Sequence, residues 1–183
     1  MLTAVFAAVV LGGIDLLILT GDLIDHDPRY ADLLGRFVRR PGAYARDGVV
    51  AIPGNHDYYT GIEAVRAAIT GAGATMMTNE GLVIGDAGAG FALLGLDDLY
   101  GPRSDARSPG PDLDRAIASV PADLPRVLLR HNPQFFPRAS CSDTRPSRAV
   151  IDSGRRAFMS IEASGRRGRP RVSALRPRSP GSS

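Results

Sequence analysis

Four short apolar runs punctuate the first 130 residues, and three of them end alike. Ile14–Thr20 runs into Gly21-Asp22-Leu23-Ile24-Asp25, Val49–Ile52 into Pro53-Gly54-Asn55-His56-Asp57, and Val127–Leu129 into Arg130-His131-Asn132-Pro133. The fourth run is Phe91–Leu96. A continuous apolar run of this length is the pattern of a strand buried on both faces. After the first run, Arg29–Arg40 sets Leu33, Leu34, Phe37 and Val38 on one helical face before Pro41-Gly42 closes it. After the second, Ile62–Ile69 repeats the pattern and ends at Gly71 and Gly73. Strands alternating with helices at this spacing specify βαβ units, hence an α/β fold with a parallel-rich sheet flanked by helices. In such a sheet the carboxyl ends of the strands share one edge, where ligands bind. Asp22, Asn55, His56 and His131 can therefore converge although they are far apart in sequence.

The 183-residue chain is 44% hydrophobic and 22% charged, enough for one cored domain with a tail and unlike a disordered or disulfide-framed chain. Its single cysteine, Cys141, makes no internal disulfide, and no CxxC offers a thiolate zinc site. Charge divides the chain. Residues 1–137 carry 11 Arg against 16 Asp and Glu, a net of −5, whereas residues 138–183 carry 11 Arg against 3, a net of +8. The first stretch reads as the domain. The second, rich in Arg, Ser and Pro and without a sustained apolar run, reads as a disordered tail. Leu2–Leu11 reads as a buried helix feeding the first strand, since Asp15 stops the apolar stretch well short of the ~18 residues that a membrane span needs.

A carboxylate, an amide oxygen and an imidazole form a mixed O/N set suited to Mn²⁺, Fe or Zn²⁺ and not to Ca²⁺. Each piece alone has an ordinary structural reading. Gly-Asp and Pro-Gly-Asn make turns, and Asp25, His26 and Asp27 can cap a helix starting near Pro28. The conjunction decides: two of the three histidines, and Asp22 with them, sit directly after strands.

The three motifs resemble, in sequence order, the GDxxD, GNH(D/E) and histidine motifs of the calcineurin-like metallophosphoesterases. Gly95–Tyr100 and Leu128–Pro137 further resemble the bacterial branch of phosphodiesterases and lipid-precursor pyrophosphatases. The resemblance spans roughly residues 1–137 and implies the N-terminal half of an α/β/β/α sandwich, with the second sheet largely missing and an apolar face left exposed. It implies that Asp22 bridges two metal ions and that Asn55 and His131 are ligands of the second. It also implies that His56 acts as general acid over the phosphate, steered by a carboxylate such as Asp25 or Asp57. Divalent ions are implied as cofactors, Mn²⁺ first with Fe or Zn²⁺ as alternatives, two in the family. Asp97 and Asp98 carry no ligand role and read as loop or substrate-side residues, with structural capping the favoured role.

The family opens with a strand ending in Asp-x-His and carries a later Gly-His-x-His; neither motif occurs here, and no histidine follows His131. Two expectations follow: a depleted metal centre with weak or no hydrolysis, and an out-of-frame reading beyond about residue 138. The activity implied is metal-dependent hydrolysis of a phosphomonoester, phosphodiester or pyrophosphate bond. Its substrate would be a small phosphorylated molecule or a phospholipid-like precursor. Two rival readings are a non-catalytic fragment and a basic-tailed module binding nucleic acid or acidic lipid. The second is weakened by a tail with one aromatic residue, Phe158, for stacking. With no transmembrane segment or lipid anchor in view, the chain is taken as cytoplasmic by default, with a peripheral membrane location as the alternative.

Overall fold

The computed structural model describes residues 14–86, 90–104, 106 and 108–132, and the backbone of strands at 148–151, 159–162 and 171–174. The helix expected over Leu2–Leu11 lies outside these residues. A first sheet holds β1 (Leu17–Leu19), β2 (Val49–Ala51) and β3 (Thr75–Met76), all parallel, with Ile18 opposite Val50 and Val50 opposite Thr75. A second sheet holds β4 (Glu80–Ile84), β5 (Phe91–Gly95), β6 (Arg126–Leu129) and β7 (Arg148–Ile151). There β4 runs antiparallel to β5, while β5, β6 and β7 are parallel. A separate antiparallel pair joins β8 (Met159–Glu162) to β9 (Arg171–Ala174).

Side-chain alternation along the strands assembles these parts in layers. From β2, Val49 and Ala51 pack with α1 (Ala31–Gly42) and α3 (Ile62–Gly71), through Leu34, Val38, Val65 and Ile69. Val50 and, just past the strand, Ile52 point the other way and join Met77, just past β3, and Leu93, Val127 and Leu129 of the second sheet. On that sheet's outer face Leu94, Leu96 and Leu128 pack on Ala116 of α4 (Leu113–Ala118). The order is helix, sheet, sheet, helix. Complete burial of an aliphatic side chain such as Val38, Val65, Ile69, Leu93 or Leu129 contributes about 1.5–3 kcal/mol each, so both sheets share the stabilising core.

The second sheet is thus present, against the expectation that it is largely missing, and its inner face is covered by the first sheet. Its flanking strands are quiet in sequence. Edge strand β4 begins Glu80-Gly81, and β7 is the triplet Ala149-Val150-Ile151 behind Arg148, inside the Arg-rich stretch read as structureless. Pairing to β5 and β6 places both as strands without any apolar periodicity of their own. The parallel strands also divide between two sheets where one was expected, so their carboxyl ends meet at one end of a sandwich. Other elements also escape the sequence pattern, among them β3, with two residues, α4, and α2 (Asn55–Thr60), a six-residue helix between β2 and α3. The helix expected to close at Pro41-Gly42 includes both residues, and the Pro41 carbonyl accepts from the N–H groups of Tyr44 and Ala45.

Candidate metal centre

The chain leaves β1 through two residues in the left-handed region, Gly21 at φ +90° and Asp22 at φ +53°. Glycine adopts this region freely, and aspartate is among the few side chains that enter it. The turn brings Asp22 beside Gly54, which precedes α2. A Cβ on Gly54 would fall on the Asp22 carboxylate and backbone N. One on Gly21 would lie 2.6 Å from His131 Nδ1 and 2.8 Å from Gly54 N. Three chain segments cross here at a spacing that glycine alone permits at those two positions.

Asp22 Oδ1 accepts from the backbone N–H of His56, at 3.0 Å, in the first turn of α2. Its other oxygen, Oδ2, lies 3.2 Å from His131 Nε2, and Asn55 Oδ1 lies 3.2 Å from the same nitrogen. On the far side of the ring, His131 Nδ1 is 2.8 Å from the Thr20 carbonyl, which only accepts, so Nδ1 carries the proton. In the neutral imidazole the Nε2 lone pair then faces a carboxylate oxygen and an amide oxygen. In that form all three are electron-pair donors grouped about one point. A divalent cation satisfies all three at once, and the Thr20 carbonyl is the outer-shell group that fixes the tautomer of a ligating histidine. Asp22, Asn55 and His131 therefore fit a divalent first-row metal ion such as Mn²⁺, Fe²⁺ or Zn²⁺.

The residues around this centre divide by what they hold. His56 Nδ1 lies 2.6 Å from Asp25 Oδ1 and 3.2 Å from the Asp25 carbonyl oxygen. Partial burial works against a charged His56 ring, but the Asp25 carbonyl, the Asp22 charge and the Asp25 carboxylate together outweigh it and raise its pKa. Tyr59 packs edge-on to His56 at 5.6 Å, and His26 at 5.5 Å. Asp57 sits elsewhere. It is fully buried, with Oδ1 accepting from the N–H groups of Leu23 (2.8 Å) and Ile24 (3.1 Å) and Oδ2 from that of Gly54 (2.8 Å). Burial pushes its carboxyl upward in spite of these three bonds. Of the two carboxylates expected to steer His56, Asp25 is in contact with the ring. Asp57 spends both oxygens on backbone and ties the loop after β1 to the start of α2. Asp27 alone of the Asp25-His26-Asp27 run caps the turn at Pro28–Tyr30, accepting from Arg29 N at 2.9 Å.

Past β5 the chain builds a second polar cluster, of which the sequence pattern suggests no more than caps. Asp97 accepts from the hydroxyls of Tyr58 and Ser108 and from the N–H of Asp98. Asn79, at φ +56°, accepts from Asp97 N and Asp112 N and donates to the Gly110 carbonyl. Burial raises the pKa of Asp97 and of Asp98 and drives that of Tyr58 far up. Asp98 Oδ1 accepts from Tyr100 N at 2.8 Å, while its buried Oδ2 has no hydrogen-bond partner. A strand-terminal Asp-Asp following Gly95-Leu96 is the signal available in the sequence; Tyr58, Asn79 and Ser108 give none. A shallow groove between α1 and α3, lined by Asp32, Gly35, Arg36 and Arg39 among others, contains no histidine and lies away from these clusters.

Layers, strand-end loops and the converging acceptors define a phosphoesterase-type α/β/β/α sandwich. The chain belongs to the calcineurin-like phosphoesterase family, which matches residues 2–153, past β7 and past the domain end expected at residue 137. It is 26% identical over 121 residues to an uncharacterized metallophosphoesterase of Helicobacter pylori strain J99, covering 66% of this chain and 30% of that protein. It is 30% identical over 148 residues to a bovine protein described as a transmembrane protein with metallophosphoesterase domain, covering 76% of this chain and 32% of that one. The chain thus spans about a third of the length of these curated relatives. No solved structure gives a significant match. Among the described residues no helix is long and apolar enough to cross a membrane.

Proposed function

We propose that the chain hydrolyses a phosphoester or pyrophosphate bond in a small phosphorylated substrate or phospholipid-like precursor. Asp22, Asn55 and His131 hold one divalent cation, Mn²⁺ in the first instance. The bound ion supplies Lewis-acid polarisation of a phosphoryl oxygen and an acidified water. His56 stands beside this centre on the first turn of α2, where the backbone N–H bond to Asp22 fixes its distance from the ligands. Its Nδ1 is engaged by Asp25, so Nε2 is the atom that delivers a proton to the leaving oxygen. Asp25 orients the ring and favours its protonated form. Asp57 positions both loops from beneath. The observation that carries this reading is the meeting of Asp22 Oδ2 and Asn55 Oδ1 at His131 Nε2, each 3.2 Å from that nitrogen.

Three protein ligands hold a cation weakly, so turnover is low and rises with added metal. The test is hydrolysis of an aryl phosphodiester by the purified chain during a Mn²⁺ titration, with Asp22→Asn and His56→Ala alongside. Saturable activity that disappears in both variants supports the reading. A folded chain that is inactive at every Mn²⁺ concentration refutes it.

A further inference from the structure

Asp25 does more than orient His56, because its second oxygen is taken by a second imidazole. Oδ1 lies 2.6 Å from His56 Nδ1 and Oδ2 lies 2.7 Å from His26 Nδ1. Each of these residues offers a ligand atom within 4.8 Å of the other two, a grouping that no other His, Cys, Asp or Glu side chains form among the described residues. We propose that Asp25, His26 and His56 form a second cation site, selective for a Zn²⁺-class ion and separate from the Asp22–Asn55–His131 centre.

The donor chemistry sets the selectivity. Two imidazole nitrogens and one carboxylate oxygen suit zinc and its neighbours and disfavour Mg²⁺ and Ca²⁺, which take oxygen. Zn–N and Zn–O bonds of about 2.0–2.2 Å at tetrahedral angles place ligand atoms roughly 3.3 Å apart. The present 2.6 and 2.7 Å contacts must therefore open by roughly 0.6–0.7 Å. The side chains of His26 and Asp25 can do so, being 78% and 74% exposed. His56 is the fixed partner, with its side chain 33% exposed and its backbone N–H held by Asp22. That exposure leaves the remaining coordination positions to water, the mark of an exchangeable site and not a structural one. Binding at this site is independent of the hydrolytic reading. One consequence rests on that reading: an ion on His56 withdraws the imidazole from proton transfer, so zinc opposes the turnover that metal at the first centre supports.

Calorimetric titration of the full chain with zinc alone tests the site, alongside His26→Ala, His26→Gln and His131→Ala and with the histidine ring resonances followed by NMR. The expected result is two classes of zinc uptake in the parent chain. The class that shifts the His26 ring is weakened at least about tenfold in both His26 variants and retained in His131→Ala. A His26 ring that does not respond to zinc in the parent chain, or zinc uptake unchanged in either His26 variant, overturns the proposal. If the ring responds but no hydrolysis is found, the second site stands and only the hydrolytic reading falls. If Mn²⁺-dependent hydrolysis is found and the His26 ring stays silent, the hydrolytic reading stands and the second site falls.

Discussion

The turn after β1 and the turn after β5 use the same material, a buried strand ending in aspartate, and put it to opposite ends. Asp97 is saturated by donors: the Tyr58 and Ser108 hydroxyls and a backbone N–H leave it nothing to offer a ligand. Asp22 has one oxygen on a backbone N–H and turns the other toward the imidazole nitrogen that the Asn55 amide oxygen also approaches. Burial follows the two roles, since Asp57, Asn79 and Asp97 are buried and structural while the Asp22 side chain is 36% exposed, but it does not explain them. What separates them is the character of the partners. A carboxylate saturated by donors holds the chain together, and one with an oxygen turned to a ligating imidazole is placed to take a cation.

The most severe way to break the comparison is Gly54→Ala. The backbone at Gly54, with φ −115°, suits alanine, so the whole effect comes from the Cβ falling on Asp22. A loss of about 3 kcal/mol or more in urea unfolding is expected, together with loss of Mn²⁺ binding. Asp22→Asn sharpens it. The amide keeps the shape and the bond from His56 N but not the charge, so Mn²⁺ affinity by calorimetry should fall about 100-fold while the unfolding midpoint moves little. Tyr58→Phe tests the other turn by removing one donor to Asp97. About 1–2 kcal/mol of stability should go with Mn²⁺ affinity unchanged. An altered Mn²⁺ affinity in Tyr58→Phe would show that the two turns are coupled.

The smallest effect is in pH. Burial raises the Asp97 pKa above its unfolded value of 3.8, so the folded chain holds that proton more tightly. Its contribution to stability is fully present below 3.8 and is lost as pH rises through the folded value. Relative to Asp97→Asn, the parent chain should therefore gain stability as pH falls from neutrality toward 3.8 in urea titrations. A parent chain that loses ground to the variant over that interval would reverse the sign of the burial argument.

The sequence exposes the parts of this molecule that rest on composition. Four apolar runs locate β1, β2, β5 and β6, and two helical stripes locate α1 and α3, because burial on both faces or along one face leaves a periodic mark. It hides what rests on pairing. Thr75–Met76 and Arg148–Ile151 become strands only beside β2 and β6. In the site, Asp22, Asn55 and His131 are legible as strand-end residues. The role of Asp57 is not, for a definable reason. Without α2 in view, its position three residues after Gly54 does not show as the helix N3 site from which an acid reaches back to the chain. The pairing of His26 with Asp25 is an exposed contact between side chains, which no periodicity records.

The left-handed backbone at Asp22 has a consequence for inheritance. Few side chains tolerate a φ of +53°, and asparagine is foremost among those that share it with aspartate. One base separates the codons of the two. A lineage drifting at this position therefore passes most easily to asparagine, retaining the turn, the fold and the bond to His56 while giving up the charge. Family members that have lost the cation by this route would keep every structural sign of having one, and the residue at this single position would tell the two kinds apart.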